Sequence, residues 1–296
     1  MFSVIVPLYN KQRHIKRTLE SILYQSFDEF EILVINDGST DESLKEVESI
    51  DSDKIKTISQ KNQGVSVARN NGIKSAKYPY IAFLDADDTW EVDFLKEISL
   101  LINDYPTAGM YCSAYNIIYK DTKKLCKSFS RLESNFRGYL DDYFKYAIDQ
   151  PIVTASSVVI PKNVFDNIGN FKSKYARGED LDMWTRIALN YKVAYTNLSL
   201  ANYHKDSDNM ATLKKFPLER SSVFESEEML LSNNNSSVYY KEYMIKSIYI
   251  KARYLINEGN SKKARKLLRK YRKTKLNKKL LFKTYLYSYI KKLKRG

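Results

Sequence analysis

A chain of 296 residues, 43% apolar and with two cysteines, is long enough for one large or two ordinary domains, which excludes wholesale disorder and a disulfide framework. Its net charge of +14 is concentrated: 16 Lys/Arg and no Asp/Glu fall between Ser261 and Gly296, leaving 33 basic against 35 acidic residues, or −2, in positions 1–260. A nearly neutral body sets nucleic-acid binding aside as the main role and confines the charge question to a tail.

In chain order, "SVIVPLYN", "EILVINDGS", "IKTISQKNQG" and "YIAFLDADD" each read as a strand ending in polar residues. Helical patterns separate them. Ile15, Leu19, Ile22 and Leu23 share one face, "DESLKEVESI" opens with Asp41 as N-cap, and "VSVARNNGIKSA" is a helix weakened by Gly72. Strands alternating with helices predict β-α-β units and a mostly parallel sheet, with ligands bound beyond the carboxyl ends of the strands. Residues 91–103 read as a helix with Val92, Leu95, Ile98 and Ile102 on one side, and 104–150 are Tyr-rich and ambiguous. "PIVTASSVVIP" reads as a strand between prolines, and "GEDLDMWTRIALN" as a helix with Leu181, Trp184 and Ile187 or Ala188 inward. After about residue 215 the β character stops. A helical hairpin follows, broken at Gly259–Asn260 with Ser261 as cap. A last helix, about 276–294, sets Phe282, Leu286, Ile290 (or Tyr289) and Leu293 on one stripe.

The N-terminus has no basic stretch before its short apolar run, so it is a poor signal peptide, and no run approaches the roughly 18 apolar residues of a membrane span. Cys112 and Cys126 lack CxxC or Cys/His spacing. The expectation is a reduced, cytoplasmic protein, soluble or peripheral to a membrane.

Four strand ends converge on one rim, bringing Tyr9 and Asn10, Asp37, Asn62, and Asp85 with Asp87 together. Asp85, Asp87 and Asp88 crowd the end of the fourth strand, where like charges repel. Either something positive sits there or the run is a solvated acidic turn. Asp85 and Asp87, two apart, can be aimed at one point, and hard ions such as Mg²⁺ or Mn²⁺ take such oxygen ligands and finish their shell with substrate phosphates. Asp41 suffices as a cap, which leaves Asp37 free to accept hydrogen bonds from a base or ribose. No GxGxxG or GxxxxGK[ST] occurs, so bound phosphates need a metal and Arg69 rather than a glycine cradle. Glu179 and Asp180 open a helix, where the positive first turn favours acids in any case. His204, one of two histidines, is structural or a ligand.

Together "FSVIVPLYNKQRHIKRTLESILYQSFDEFEILVINDGSTDES", "KNQGVSVARNNGI", "YIAFLDADDTW" and "IGNFKSKYARGEDLDMWTRIA" resemble the inverting family-two glycosyltransferases of the GT-A fold over about residues 2–210. The resemblance implies an α/β fold, Rossmann-like and mostly parallel, in which 1–90 bind a nucleotide sugar and 91–215 the acceptor, with 216–296 a basic helical extension. It implies that Pro7, Tyr9, Asp37 and Asn62 hold the uracil and ribose of a UDP-sugar, with Arg69 near the diphosphate. It further implies Asp85 at the ribose or metal side, Asp87 on a divalent ion (Mn²⁺ or Mg²⁺) and His204 near that ion. Asp180 would be the general base, Glu179 would contact sugar or acceptor, and Trp184 would wall the acceptor side. The usual Gly-Gly-Phe is Gly169-Asn170-Phe171 here, and the match around His204 is loose. The implied function is transfer of a sugar to a glycan acceptor, lipid-linked, in bacterial surface polysaccharide biosynthesis. The alternative is a non-catalytic nucleotide- or lipid-binding protein retaining the fold.

The tail interleaves cations with Leu, Phe and Tyr, the pattern of an interfacial amphipathic helix on an anionic membrane. The other readings are a solvated face or, least favoured, a nucleic-acid site.

Overall fold

The computed structural model describes residues 1–119, 122–125, 132–205, 217–233 and 237–293. Two compact units emerge. The first comprises 1–141, 150–174 and 179–215; the second comprises 142–149, 175–178 and 216–296.

The first unit is built on one sheet. Its strands are β1 (Phe2–Leu8), β2 (Phe30–Asn36), β3 (Ile55–Ser59), β4 (Tyr80–Phe83), β5 (Thr89–Trp90), β6 (Ala108–Tyr119), β7 (Thr122–Leu125), β8 (Arg137–Tyr139), β9 (Val158–Pro161) and β10 (Lys192–His204). Their order is β3-β2-β1-β4-β9-β6-β10-β5, with β7 on β6 and β8 on β10. The run β3-β2-β1-β4 is parallel, as is β6 with β10, while β9 lies antiparallel between β4 and β6. β2 is buried along its whole length and reads almost continuously apolar, as a strand covered on both faces must.

The flanking helices are α1 (Ile15–Leu23), α2 (Ser43–Glu48), α3 (Val65–Ser75) and α4 (Phe94–Asp104). Ile15, Leu19 and Ile22 of α1 are buried as expected. Gly72 lets α3 lie against β1, since a Cβ there would come within 2.5 Å of Ile5. Asp41 serves α2 from one position further out than a cap: its Oδ1 accepts from the Ser43 N–H at 3.0 Å, and Glu42 makes no capping bond.

Two local expectations need correction. Val92 is exposed because α4 begins only at Phe94, and its core face is Phe94, Leu95, Ile98, Leu101 and Ile102. "PIVTASSVVIP" is extended only over Val158–Pro161, because the Thr154 N–H donates to Ser157 Oγ at 3.0 Å and the Ser157 N–H to the Thr154 carbonyl at 3.1 Å, turning 155–157 into a 3-10 helix. Cys112 is buried and free, whereas Cys126 lies outside the described residues.

The second unit is helical: α5 (Tyr143–Ala147), then, after α6 (Lys162–Ile168) and α7 (Glu179–Asn190) of the first unit, α8 (Ser226–Ser232), α9 (Val238–Asn257), α10 (Ser261–Lys270) and α11 (Lys278–Leu293). Ile248, Tyr249, Ala252 and Ile256 of α9 pack with Ala264, Leu267 and Leu268 of α10. The hairpin turns through Gly259 at φ 90°, and Ser261 is the first helical residue rather than the cap. Buried Glu242 accepts from Thr274 Oγ1, the N–H groups of Lys275 and Leu276 and the Asn277 amide, fastening the turn before α11.

Candidate active site

Three strand-end loops are tied together by hydrogen bonds. Asn10, after β1, adopts φ 52°, a left-handed conformation that asparagine tolerates better than most residues. Its Oδ1 accepts from the Thr40 N–H at 2.8 Å, and its own N–H donates to Ser39 Oγ at 3.1 Å. Asp37, buried after β2, accepts from Gln60 Nε2, the Gln63 N–H and the Gly64 N–H at 2.7–2.9 Å. Its oxygens therefore brace the loop carrying Asn62, which is itself exposed. Pro7 lies near the end of β1, paired with Ile35, and Tyr9 follows it, part-buried.

The acidic turn after β4 answers the repulsion problem with two cations and one deep burial. Arg69 Nη2 lies 2.8 Å from Asp85 Oδ1, and Lys11 Nζ lies 2.6 Å from Asp87 Oδ2. Asp88 is buried, accepting from Ser156 Oγ at 2.5 Å and the His204 N–H at 3.0 Å. Burial, then the charges of Asp87 and Asp85, push the Asp88 carboxyl well above the usual range. His204 arrives because β5 pairs with β10, setting Thr89 opposite Asn202; its Nε2 is 3.2 Å from Thr89 Oγ1.

Arg69 also reaches Glu179, with Nη1 3.0 Å from Oε1. One buried guanidinium thus joins the β4 end to the first turn of α7, with its Cζ 5.4 Å from the Phe171 ring centroid. Burial alone would lower the Arg69 pKa; Asp85, Glu179 and Asp180 outweigh it and hold the guanidinium firmly charged. Asp180 is pushed up to about 7, first by burial and then by Glu179, with Arg69 and the Leu181 N–H pulling the other way. A carboxylate titrating there is suited to general-base work near neutrality.

Phe171 sits where Asn70 bonds both its N–H and its carbonyl, at 3.0 and 2.8 Å. Buried Asp182 binds Lys172 and Arg186, and Arg186 donates to the carbonyls of Ile168, Gly169 and Asn170. Asp182 thereby takes the inward position expected of Leu181. Trp184 does not wall an acceptor site: it is fully buried and packs edge-on against Phe171 at 6.0 Å, because the apolar face of α7 points into the sheet.

Sequence reasoning missed Lys11, Ser156 and Tyr203. Lys11 carried a signal, being a cation on the same rim directly after Tyr9 and Asn10. Tyr203 carried none, yet its hydroxyl is pushed up to about 12, by burial and then by Asp88, Asp85, Asp87 and Asp180. One phenol therefore senses four carboxylates from two distant parts of the chain.

Asp85 and Asp87 offer hard oxygen donors of the kind Mn²⁺ and Mg²⁺ prefer. Among the described residues no group of three His, Cys, Asp or Glu stands ready to hold a metal ion, the expected trio of Asp85, Asp87 and His204 included.

Sheet order, flanking helices and acidic rim define an α/β protein of GT-A type. The fold matches that of S. aureus TarS residues 1–349, crystallised in complex with UDP-GlcNAc, with TM-score 0.67 and 18% identity over 97% of this chain and 79% of that one. The chain belongs to glycosyl transferase family 2, whose profile matches residues 3–169. An uncharacterized glycosyltransferase of Rickettsia felis is 34% identical over 196 residues, 63% of this chain and 30% of that protein. Putative glycosyltransferase EpsH of Bacillus subtilis is 36% identical over 129 residues, 43% of this chain and 37% of that protein. The putative teichuronic acid biosynthesis glycosyltransferase TuaG of the same organism is 29% identical over 220 residues, 72% and 82% respectively. The match thus spans about a third of the length of the first two relatives.

Proposed function

We propose that the protein is an inverting glycosyltransferase that moves a sugar from a UDP-sugar to a hydroxyl of a glycan acceptor in surface polysaccharide biosynthesis. The observation that carries this reading is Asp180, a carboxylate raised to about 7 and linked through Arg69 and Glu179 to Asp85. The GT-A fold shared with TarS, which was crystallised with UDP and with UDP-GlcNAc, supports the choice of donor.

Residues 1–90 hold the donor in this reading: Pro7, Tyr9, Asp37 and Asn62 around uracil and ribose, with Arg69 beside the diphosphate. Residues 91–215 receive the acceptor. Asp87 and Asp85 would hold a divalent ion, with His204 on the same turn through Thr89 and Asp88. Such an ion would supply Lewis-acid stabilisation of the charge developing on the leaving diphosphate, without proton transfer. Asp180 accepts the proton of the acceptor hydroxyl as its oxygen bonds to the anomeric carbon from the face opposite UDP. The bond from that carbon to UDP breaks, and the configuration inverts in one displacement. Glu179, fixed by Arg69, contacts sugar or acceptor.

The basic extension places the enzyme on the inner face of the plasma membrane, where a lipid-linked acceptor is at hand. What supports this is α11, whose large apolar residues Phe282, Leu286, Tyr289 and Ile290 are exposed while Thr284 and Ser288 are buried. No helix among the described residues is long and apolar enough to cross a membrane.

UDP release from a panel of UDP-sugars, with Mn²⁺ and a polysaccharide-primer acceptor, tests the reading. Wild type is expected to turn over at least one donor, and Asp180→Asn to lose roughly 10²–10⁴-fold while remaining folded. Equal rates for the two proteins would remove Asp180 as base.

A further inference from the structure

Asp87 carries the oxygens assigned above to a divalent ion, yet a cation already rests on one of them. Lys11 Nζ lies 2.6 Å from Asp87 Oδ2, with the two side chains 12% and 16% exposed. The lysine is fixed at its base. Its N–H donates to Ser43 Oγ at 2.7 Å, and its carbonyl accepts from the His14 and Ile15 N–H groups at 2.9 Å, where α1 begins. The aspartate is equally fixed. Arg17 Nη2 donates to the Asp87 carbonyl at 3.0 Å, and Thr18 Oγ1 donates to the Asp88 carbonyl at 2.8 Å. The loop after β1, the start of α1 and the acidic turn are therefore fastened together around one ammonium.

Two cations in contact with one carboxylate repel each other, and the repulsion is strong where little water screens it. An ion entering at Asp87 must displace Lys11 or bind against it. A diphosphate changes this balance. It brings negative charge that gives the ammonium a new partner and leaves Asp87 to the ion.

We propose that Lys11 is a resident counter-ion that holds Asp87 against divalent ions until the diphosphate of the donor arrives, so that metal and donor bind as a pair. This rests on the assignment of Asp87 to the metal. It makes the two binding events reciprocal: whatever factor UDP contributes to Mn²⁺ affinity, Mn²⁺ contributes to UDP affinity.

Calorimetric titration of the full chain with Mn²⁺, with and without saturating UDP, tests it in wild type, Lys11→Met and Lys11→Arg. Lys11→Met keeps the stem and removes the charge. It is expected to bind Mn²⁺ alone about tenfold tighter than wild type, within the usual range of such couplings, and to show a smaller enhancement by UDP. Lys11→Arg is expected to behave as wild type. If Lys11→Met does not unfold cooperatively, Lys11→Gln replaces it. Equal Mn²⁺ affinities for wild type and the neutral variant without UDP overturn the proposal while leaving the metal site intact. Failure of wild type and variant alike to bind Mn²⁺ in the presence of UDP overturns the metal assignment and the proposal together.

Discussion

Asp180 and Arg69 show how one side chain takes its chemistry from another. Asp180 titrates near 7 because burial and Glu179 outweigh the opposing pull of Arg69. In the proposed role of base it works deprotonated, so kcat/KM is expected to rise with pH up to about 7 and level off above it, and a flat pH–rate profile from 5.5 to 8.5 would contradict this. The same shift acts on stability with a fixed sign. The raised carboxyl keeps its proton in the folded state from about 3.8 to about 7, where the unfolded chain has released it. Stability is therefore lost as pH climbs through that window. Asp180→Asn is expected to melt above wild type at pH 8 and level with it below about pH 4. A lower melting temperature for the variant at pH 8 would refute the sign. At this scale the sequence made the acidic candidates legible through the motifs that hold them, although turns and helix starts favour acids in any case. It left their partners hidden: the pairing of Lys11 with Asp87 spans 76 positions, and that of Arg69 with Glu179 spans 110.

Among the elements, α3 and β1 set the tolerance of residues 1–90. Gly72 reads as a weak point of the helix, since glycine costs about 1 kcal/mol against alanine in a helix interior. Its absent side chain is instead what allows close packing. A Cβ would lie 2.5 Å from Ile5 Cγ2 and 2.9 Å from Cδ1, both on a fully buried side chain. Overpacking of this kind costs about 1–3 kcal/mol, which exceeds the gain in helix propensity. Gly72→Ala is accordingly expected to lower the urea midpoint, and a raised midpoint would show that β1 yields. Element types and order were readable over residues 1–90 from alternating periods and strand-end polar residues, whereas β6, β7, β8 and β10 were not read. Element ends were not. Val92 is left out of α4, and Thr154 with Ser157 shortens β9, through cap and turn bonds that periodicity does not encode.

For the whole molecule, the charge of +14 dissolves into two different roles. α10 is basic outside, but Ala264, Leu267 and Leu268 belong to the core of the helical unit. Removing residues 261–296 would therefore open that core. α11 carries the membrane question, because Phe282, Leu286 and Ile290 are 69%, 50% and 43% exposed and Lys279 and Lys283 stand exposed beside them. Each cation near an anionic leaflet contributes about 1 kcal/mol, and buried apolar area adds to it. Phe282→Ser/Leu286→Ser/Ile290→Ser is expected to melt like wild type yet lose flotation with phosphatidylglycerol vesicles. Undiminished flotation would end the membrane reading.

By itself the sequence determined the four parallel strands of residues 1–90, their order of supply along the chain and the rim on which acids gather, because period and turn chemistry are local. Tertiary structure alone decided which charges meet. It set Lys11 on Asp87, split Arg69 between two motifs, sank Trp184 into the core and left the stripe of Phe282, Leu286 and Ile290 on α11 facing outward. Those outcomes depend on contacts between segments far apart in the chain, and no local pattern carries the distance between them.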